Sequence, residues 1–264
     1  MVKHNPGALA AIAQLARSAG RLVVGGARLE LDLLLPPHCL DCQGPMERPG
    51  DGIFLCGDCR ARLSSDRAQR CRKCGNTLAM AADQCPWCRE HGLEFDAVIP
   101  LGRYEGQLRS VVLRMKRHQG EPLAQAMARL MVKARGEVLR AWKADLVVPV
   151  PMHWSRRLSR AANSPDVVAK CLARELGIPL GRALRRTRKT KPQRDLHVKE
   201  RFRNLRGALA ARGGYALRGL RVLVVDDILT TGATGSTAAG ALKRAGAAAV
   251  AVAVLARADG LETG

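Results

Sequence analysis

The sequence predicts an α/β protein in which a parallel sheet is flanked by helices and preceded by a small cysteine-rich module. Eight of the nine cysteines fall in four Cys-x-x-Cys pairs before residue 90. After them, short aliphatic runs alternate with longer segments whose apolar residues recur every three or four positions. Strands that alternate with helices favour a parallel sheet with right-handed connections. We therefore divide the chain into an N-terminal helical segment (1–35), the cysteine module (36–92) and the α/β domain (93–264).

The N-terminal segment carries an apolar stretch but no predicted membrane span. Residues 8–17 fit an amphipathic helix, which could pack on the body of the protein or lie on a membrane surface. The apolar stretch 22–35 is interrupted by glycines and charged residues, whereas a spanning helix needs ~20 uninterrupted apolar residues. With no cleavable signal peptide expected either, we predict a cytoplasmic protein without a transmembrane segment.

The four Cys-x-x-Cys pairs predict two structural zinc sites, because two such pairs present four thiolates to one tetrahedral ion. The pairs are Cys39/Cys42, Cys56/Cys59, Cys71/Cys74 and Cys85/Cys88. Sequential pairing would give two tandem ribbons, and the spacing is equally compatible with a cross-braced arrangement. Disulfides are the alternative, but a reducing cytoplasm argues against them. The ninth cysteine, Cys171, lies among aliphatic residues and is predicted to be a small buried apolar side chain.

The elements of the α/β domain follow from hydrophobic periodicity and from buried aliphatic runs. The predicted strands are 95–101, 145–150, 179–183, 221–225 and 248–255. The predicted helices are 106–116, 122–142, 166–176 and 235–245. Four consecutive aliphatic residues at 222–225 are typical of a strand that is buried on both faces, as the central strands of a parallel sheet are.

Residues 222–234, which read VLVVDDILTTGAT, predict a site for a phosphorylated sugar. Asp226 and Asp227 follow the buried strand, at the end where open α/β sheets bind ligands, and two carboxylates can accept hydrogen bonds from vicinal hydroxyls. The start of the next helix favours a phosphate, with contacts from Thr230, Thr231, Gly232, Ala233 and Thr234. A P-loop is excluded because no lysine follows the second glycine. The remaining alternative is an ordinary strand, loop and helix in which the acids cap the helix.

The formal net charge of +21 is concentrated in one segment. Between residues 182 and 206 there are eleven arginines and lysines but only two acids, Asp195 and Glu200. Such a cluster attracts polyphosphates or a nucleic-acid backbone, although a solvated loop is the alternative. Because aromatic residues make up only 3% of the chain, any binding of single-stranded DNA would be mostly electrostatic.

The motif at 222–234 resembles the signature of type I phosphoribosyltransferases, which bind 5-phosphoribosyl-1-pyrophosphate (PRPP). Three further segments, VPVPMH at 148–153, KPQ at 191–193 and ERFRNLRGA at 200–208, narrow the resemblance to the ComF (competence protein F) family. The resemblance extends from about Leu31 to Ala256. One departure is the segment 160–164, which reads RAANS where the family usually shows RGFNQ.

The resemblance implies a type I phosphoribosyltransferase-like fold and a set of PRPP contacts. Asp226 and Asp227 would contact the ribose and are also the candidate catalytic residues, while residues 230–234 would hold the 5′-phosphate. The pyrophosphate loop would be formed by Pro151, Met152 and His153, with His153 either an acid or base or merely structural. A basic loop that closes over the site would contribute Lys191, Gln193, Arg201, Asn204 and Arg206.

The same resemblance implies two functions. The first is glycosyl transfer from PRPP with release of pyrophosphate, for which Mg²⁺ would accompany the diphosphate. The second is non-catalytic binding of single-stranded DNA through the basic surface and the zinc ribbons, since ComF proteins are linked to natural transformation and its DNA-uptake machinery. Neither the acceptor, nor turnover, nor the oligomeric state is encoded in a recognisable motif.

Overall fold

The computed structural model describes residues 36–78, 85–152, 164–191 and 196–259. Several predictions from the sequence lie outside these residues. They concern the N-terminal helical segment, His153, Gln193 and the divergent stretch 160–163.

The described residues form seven helices and six strands. The helices are α1 (Gly57–Leu63), α2 (Pro86–Glu90), α3 (Gly106–Met115), α4 (Glu121–Ala141), α5 (Ser164–Leu176), α6 (Val198–Leu205) and α7 (Ala233–Arg244). The strands are β1 (Ala97–Arg103), β2 (Leu146–Pro149), β3 (Leu184–Arg186), β4 (Leu209–Ala211), β5 (Arg221–Leu229) and β6 (Ala249–Arg257).

Four strands form a parallel sheet in the order β1-β6-β5-β2, which confirms the predicted fold class. β5 is an inner strand, and residues 222–225 are fully buried, as the aliphatic run predicts. Ala238, Ala239 and Leu242 of α7 share a hydrophobic core with Val222 and Val224. Helix α5 packs against β2 and β5, and α4 packs against β1 and α5. This layering leaves the carboxyl ends of β2 and β5 side by side.

The strand expected at 179–183 is the main error in the predicted secondary structure. Only Leu180 bridges to β2, through Val147, and the chain then leaves the sheet. A Cβ at Gly181 would lie 2.9 Å from the Tyr215 ring and 3.0 Å from Leu146, so the backbone is in close contact with neighbouring side chains there. The strand that does form, β3, pairs antiparallel with β4 in a separate two-stranded sheet.

Helix α6 and strand β3 lie within the basic segment, which was predicted to be a loop. The backbone N–H of His197 donates to the carboxylate of Glu200 at 3.0 Å, which fixes the start of α6. Val198, Phe202 and Leu205 share one face of this helix, and Leu205 is buried. The i, i+4, i+7 spacing was present in the sequence but was obscured by the surrounding charges.

Backbone contacts divide the chain into two compact units, which meet in sequence between Cys56 and Gly57. In the first unit, Leu40 N–H donates to the Phe54 carbonyl at 2.9 Å, and Ile53 and Leu55 are buried. In the second unit, Cys74 and Trp87 belong to the same hydrophobic core as the sheet.

In the ranges that the structure describes, every helix is too short or too polar to span a lipid bilayer.

Candidate functional site

The two acids lie inside β5 rather than beyond its end. The strand continues to Leu229, and Asp226 pairs in register with Val254 of β6. The Asp227 N–H donates to Asp226 Oδ1 at 2.9 Å. Both residues are partly exposed, as a ligand-contacting role requires. We refer to them as the acid pair.

Lys116, which follows α3, forms an ion pair with Asp227. Its Nζ lies 2.9 Å from Asp227 Oδ2, and the two side chains are 23% and 15% exposed. Sequence reasoning missed this residue, because it closes an amphipathic helix and carries no motif of its own. Lys116 supplies one positive charge to a site that already contains two carboxylates.

Burial and the negative charge of Asp227 raise the pKa of Asp226 to about 7. The Asp227 N–H, Lys116 and Arg186 act in the opposite direction but do not outweigh them. Near neutral pH the Asp226 carboxyl is therefore easily protonated. A ligand that brings hydroxyl donors or a cation would stabilise its ionised form.

We predict that Asp226→Asn stabilises the ligand-free protein in a pH-dependent way. The folded-state pKa of Asp226 lies above the unfolded value of about 3.9, so the wild type loses stability as pH rises from about 4 to 7. Asparagine keeps an oxygen for the Asp227 N–H and does not titrate. In urea unfolding, the variant's advantage over the wild type should grow by on the order of 2 kcal/mol between pH 5 and pH 8. An advantage that is equal at both pH values would contradict the raised pKa.

The segment 230–234, called here the 230–234 loop, turns from β5 into α7. Gly232 has φ +86°, a left-handed conformation that favours glycine. Thr231 is buried, and its Oγ1 accepts from the Ala233 N–H at 3.3 Å. The Ser236 N–H donates to the Gly232 carbonyl at 2.8 Å, which starts the helix. The first N–H groups of a helix have no partners within the helix itself, so this turn can bind an anion.

The end of β2 lies next to the acid pair. The Val150 N–H donates to the Val225 carbonyl at 2.9 Å, which places the following Pro151 and Met152 beside Asp226. The Pro151 carbonyl accepts from Arg186 Nε at 2.8 Å. Three predicted parts of the site, the acid pair, the 230–234 loop and the start of the pyrophosphate loop, are thus at one edge of the sheet.

The predicted residues of the basic loop mainly hold that segment together. The Asn204 side chain forms hydrogen bonds with both the N–H and the carbonyl of Lys191, at 3.2 and 3.0 Å. Arg188 Nη2 donates to the carbonyls of Asn204 and Arg206, each at 3.0 Å. Arg201 Nε donates to the Leu196 carbonyl at 2.8 Å. These bonds tie α6 to the end of β3 and so shape the surface beside the acid pair.

A cleft of about 570 Å³ lies between the end of β2 and the basic segment. Its described lining includes six cations and one acid, Asp166, which forms an ion pair with Arg182 at 2.8 Å. The six cations are Arg182, Arg185, Arg186, Arg188, Lys189 and Arg212. Pro151 and Met152 also line this basic cleft, so it opens beside the acid pair.

The described cysteines form two clusters of four, each with sulfur atoms within 4.8 Å of one another. The first cluster is Cys39, Cys42, Cys56 and Cys59, and the second is Cys71, Cys74, Cys85 and Cys88. This is the sequential pairing, so the cross-braced alternative is wrong. None of these cysteines forms a disulfide, and Cys171 is buried as predicted.

The sulfur geometry suits zinc. Tetrahedral Zn²⁺ with Zn–S bonds of about 2.3 Å places its sulfurs about 3.8 Å apart. Cys42 and Cys56 sulfurs are 3.8 Å apart in the first cluster, and Cys71 and Cys88 sulfurs are 3.7 Å apart in the second. Burial raises the pKa of the Cys88 thiol to about 12, so a bound cation is what would allow it to ionise.

Arg257, at the end of β6, connects the second cysteine cluster to the 230–234 loop. The side chain is completely buried, and Nε donates to the Cys74 carbonyl at 2.8 Å. Nη2 donates to the Asn76 side-chain oxygen, and Nη1 donates to the carbonyls of Leu229, Thr230 and Ala258. Sequence reasoning missed this residue because a single arginine in an Ala/Val strand carries no motif.

Comparisons with known proteins agree with this architecture. Residues 118–262, more than half of the chain, match the family described as "Phosphoribosyl transferase domain". Residues 30–90 match "Double zinc ribbon domain".

Curated relatives extend the match along most of the chain. Competence protein F from Haemophilus influenzae is 30% identical over 84% of this chain and 97% of its own length. DNA utilization protein YhgH from Salmonella typhimurium is 33% identical over 85% of this chain and 99% of its own. Competence protein ComFC from Bacillus subtilis is 24% identical over 74% of this chain and 80% of its own.

Proposed function

The chain belongs to the ComF family, and from this premise we propose that it binds PRPP together with Mg²⁺ at the acid pair and the 230–234 loop. One observation carries the proposal: the Val150–Val225 hydrogen bond brings the start of the pyrophosphate loop to the edge of the sheet that holds both acids. A phosphate at the 230–234 loop, a ribose at the acid pair and a diphosphate at Pro151 and Met152 then form one continuous ligand.

The proposed chemistry is transfer of the 5-phosphoribosyl group to a nucleophilic nitrogen. The bond between C1 of the ribose and the diphosphate oxygen breaks, a bond from the acceptor nitrogen to C1 forms, and that nitrogen loses a proton. Asp226 and Asp227 bind the ribose hydroxyls and stabilise positive charge that develops on the ring. Arg186, which lies at the Pro151 end of the basic cleft, neutralises the departing pyrophosphate. Mg²⁺ would accompany the diphosphate, and the acid pair offers the oxygen donors that this ion prefers.

The test is calorimetric titration with PRPP and Mg²⁺, followed by a screen for pyrophosphate release with candidate nitrogen bases. We expect one PRPP per chain, weaker binding of ribose 5-phosphate, and no binding of unphosphorylated ribose. The absence of heat with PRPP under any Mg²⁺ concentration would contradict the proposal. Binding without pyrophosphate release would support recognition of PRPP without turnover.

A second candidate function is the binding of single-stranded DNA, and the basic cleft is the observation that favours it. Several of its cations are exposed at the rim, including Arg185 and Lys189. Relatives are named for competence and for DNA utilization, which suggests DNA and the DNA-uptake machinery as partners. Because the attraction would be largely electrostatic, affinity should fall steeply between about 50 and 200 mM salt. Affinity that stays constant over this range would exclude the candidate.

We also propose a cytoplasmic location, where the eight clustered cysteines would remain reduced and bind two structural zinc ions. The supporting observation is the pair of four-cysteine clusters without disulfides. Metal analysis of protein purified without chelator should find two zinc ions per chain.

A further inference from the structure

We propose that the second cysteine cluster and the 230–234 loop are thermodynamically coupled through Arg257. Zinc held by Cys71, Cys74, Cys85 and Cys88 would raise the affinity of the loop for a phosphorylated ribose, and that ligand would strengthen retention of the zinc. This inference rests on the proposed function. It gives Arg257 the role of a positioning residue.

Arg257 is the direct connection. One edge of its guanidinium donates to the carbonyl of Cys74, a member of the second cysteine cluster, and to the side chain of Asn76 two residues later. Another edge donates to the carbonyls of Leu229 and Thr230, which lead into the 230–234 loop. Because all of these partners are main-chain or amide oxygens, the guanidinium fixes the path of two separate backbone segments relative to each other. A displacement of one segment removes bonds that hold the other.

The position of Asn76 depends on the backbone turn formed by residues 71–76. The Cys71 N–H donates to the Asn76 carbonyl at 2.9 Å, and the Gly75 N–H donates to the Cys71 carbonyl at 2.8 Å. The turn also packs closely against β1, since a Cβ at Gly75 would lie 2.9 Å from Val98 Cγ1. When Zn²⁺ binds Cys71 and Cys74, it fixes this turn. It thereby fixes the Cys74 carbonyl and the Asn76 side-chain oxygen, which accept hydrogen bonds from Arg257.

A second connection runs from the same cluster to the basic segment. Trp87 lies between Cys85 and Cys88 and stacks on His91, with ring centroids 4.1 Å apart. His91 in turn stacks on Phe202 of α6, at 5.5 Å. The second cysteine cluster is therefore also connected to α6 of the basic segment.

A third connection is the chain that leaves the cluster. Leu93 and Phe95 lie against the 230–234 loop, since a Cβ at Gly232 would be 3.3 Å from Leu93 Cδ2 and 3.4 Å from Phe95 Cζ. The Glu94 N–H between them donates to Ser236 Oγ of α7 at 3.0 Å. The loop is thus packed on a segment whose start is fixed by Cys88.

Coupling free energies are reciprocal, and this provides a test that does not depend on catalysis. Variant C39S/C42S retains only the second cluster's metal, and the matched variant C85S/C88S retains only the first. Zinc affinity is measured at equilibrium against a competing zinc-selective chelator, with and without PRPP. We expect PRPP to tighten zinc binding at least about fivefold in C39S/C42S and to leave it unchanged in C85S/C88S. Equal zinc affinities with and without PRPP in C39S/C42S, although PRPP binds, would overturn the coupling.

A ligand-free measurement separates this inference from the proposed function. Amide hydrogen exchange at residues 229–234 should be faster in C85S/C88S than in C39S/C42S when no PRPP is present, because only the former has lost the metal next to Arg257. If PRPP fails to bind the wild type, the proposed function fails and this measurement still decides the coupling. Equal exchange in the two variants would overturn it.

Arg257→Lys tests the connection itself. Lysine keeps the charge but presents one nitrogen, which cannot reach both backbone segments in the fork geometry of a guanidinium. Introduced into C39S/C42S, this change should leave zinc bound while the zinc affinity becomes independent of PRPP. A zinc affinity that still depends on PRPP would show that the coupling bypasses Arg257. If this variant does not fold, the cysteine variants still test the proposal.

Discussion

Replacing Asp226 and Asp227 together with asparagine is expected to weaken PRPP binding by about 100-fold or more. Each carboxylate would lose a charge-assisted hydrogen bond to a ribose hydroxyl, and such bonds contribute about 1.5–3 kcal/mol each. The ion pair between Lys116 and Asp227 is also lost, which leaves a partly buried ammonium without its carboxylate. The measurement is calorimetric titration of the double variant with PRPP and Mg²⁺.

The fold should survive this change, so lost binding can be interpreted. Asparagine at 226 can still accept the Asp227 N–H, and removing a carboxylate whose pKa is already raised relieves repulsion in the empty site. The control is that the variant still unfolds cooperatively in urea at pH 8, since the relieved repulsion and the lost Lys116 ion pair act in opposite directions. PRPP affinity within about threefold of the wild type would mean that the acid pair does not contact the ribose.

A charge variant distinguishes the two candidate functions. Arg185 and Lys189 are exposed cations on the rim of the basic cleft, whereas Arg186 and Arg188 hold backbone carbonyls and are poor choices for substitution. R185Q/K189Q should weaken binding of single-stranded DNA and reduce its salt dependence, with little effect on PRPP. The acid-pair variant should show the opposite pattern. If both variants impair both ligands to the same extent, DNA and PRPP share one site.

The parts of the fold that could be predicted from the sequence are those in which a local pattern determines a local structure. The aliphatic run before Asp226 identified the inner strand of the sheet, and the Cys-x-x-Cys pairs identified both clusters. Their sequential pairing could not be predicted, because four ligands from any two pairs satisfy a tetrahedral ion equally well. Only the packing of the folded chain selects one arrangement.

The residues that the sequence did not reveal are those whose role depends on distant contacts. Lys116 reaches Asp227 across more than a hundred residues of chain, and Arg257 joins segments that are far apart in sequence. Neither lies in a motif, and a lone cation in a strand or at a helix end has many ordinary explanations. The short strand β3 was misplaced for a related reason, since its partner β4 lies 20 or more residues further along the chain.

Gly232→Ala is expected to lower PRPP affinity at least about tenfold. At φ +86° a Cβ costs about 1–2 kcal/mol, and this Cβ would also press on Leu93 and Phe95 at 3.3 and 3.4 Å. Because those two side chains are buried in the packed core and have little room to shift, the 230–234 loop would move instead. Its N–H groups would then no longer converge on the 5′-phosphate, so binding is lost in addition to stability. The measurement is PRPP titration beside urea unfolding.

Gly214→Ala is the matched control, because Gly214 has nearly the same backbone conformation without the same surroundings. Its φ is +88°, and a Cβ there would meet no atom within 4 Å. Gly214 is exposed and lies in the turn between β4 and β5, which is distant in sequence from the 230–234 loop. Both alanines should reduce stability by about 1–2 kcal/mol because of the left-handed conformation, and Gly232→Ala should reduce it further through the contacts with Leu93 and Phe95. Only Gly232→Ala should also reduce affinity, since there the added methyl meets Leu93 and Phe95. Equal PRPP affinity in the two variants would mean that the loop does not hold the phosphate.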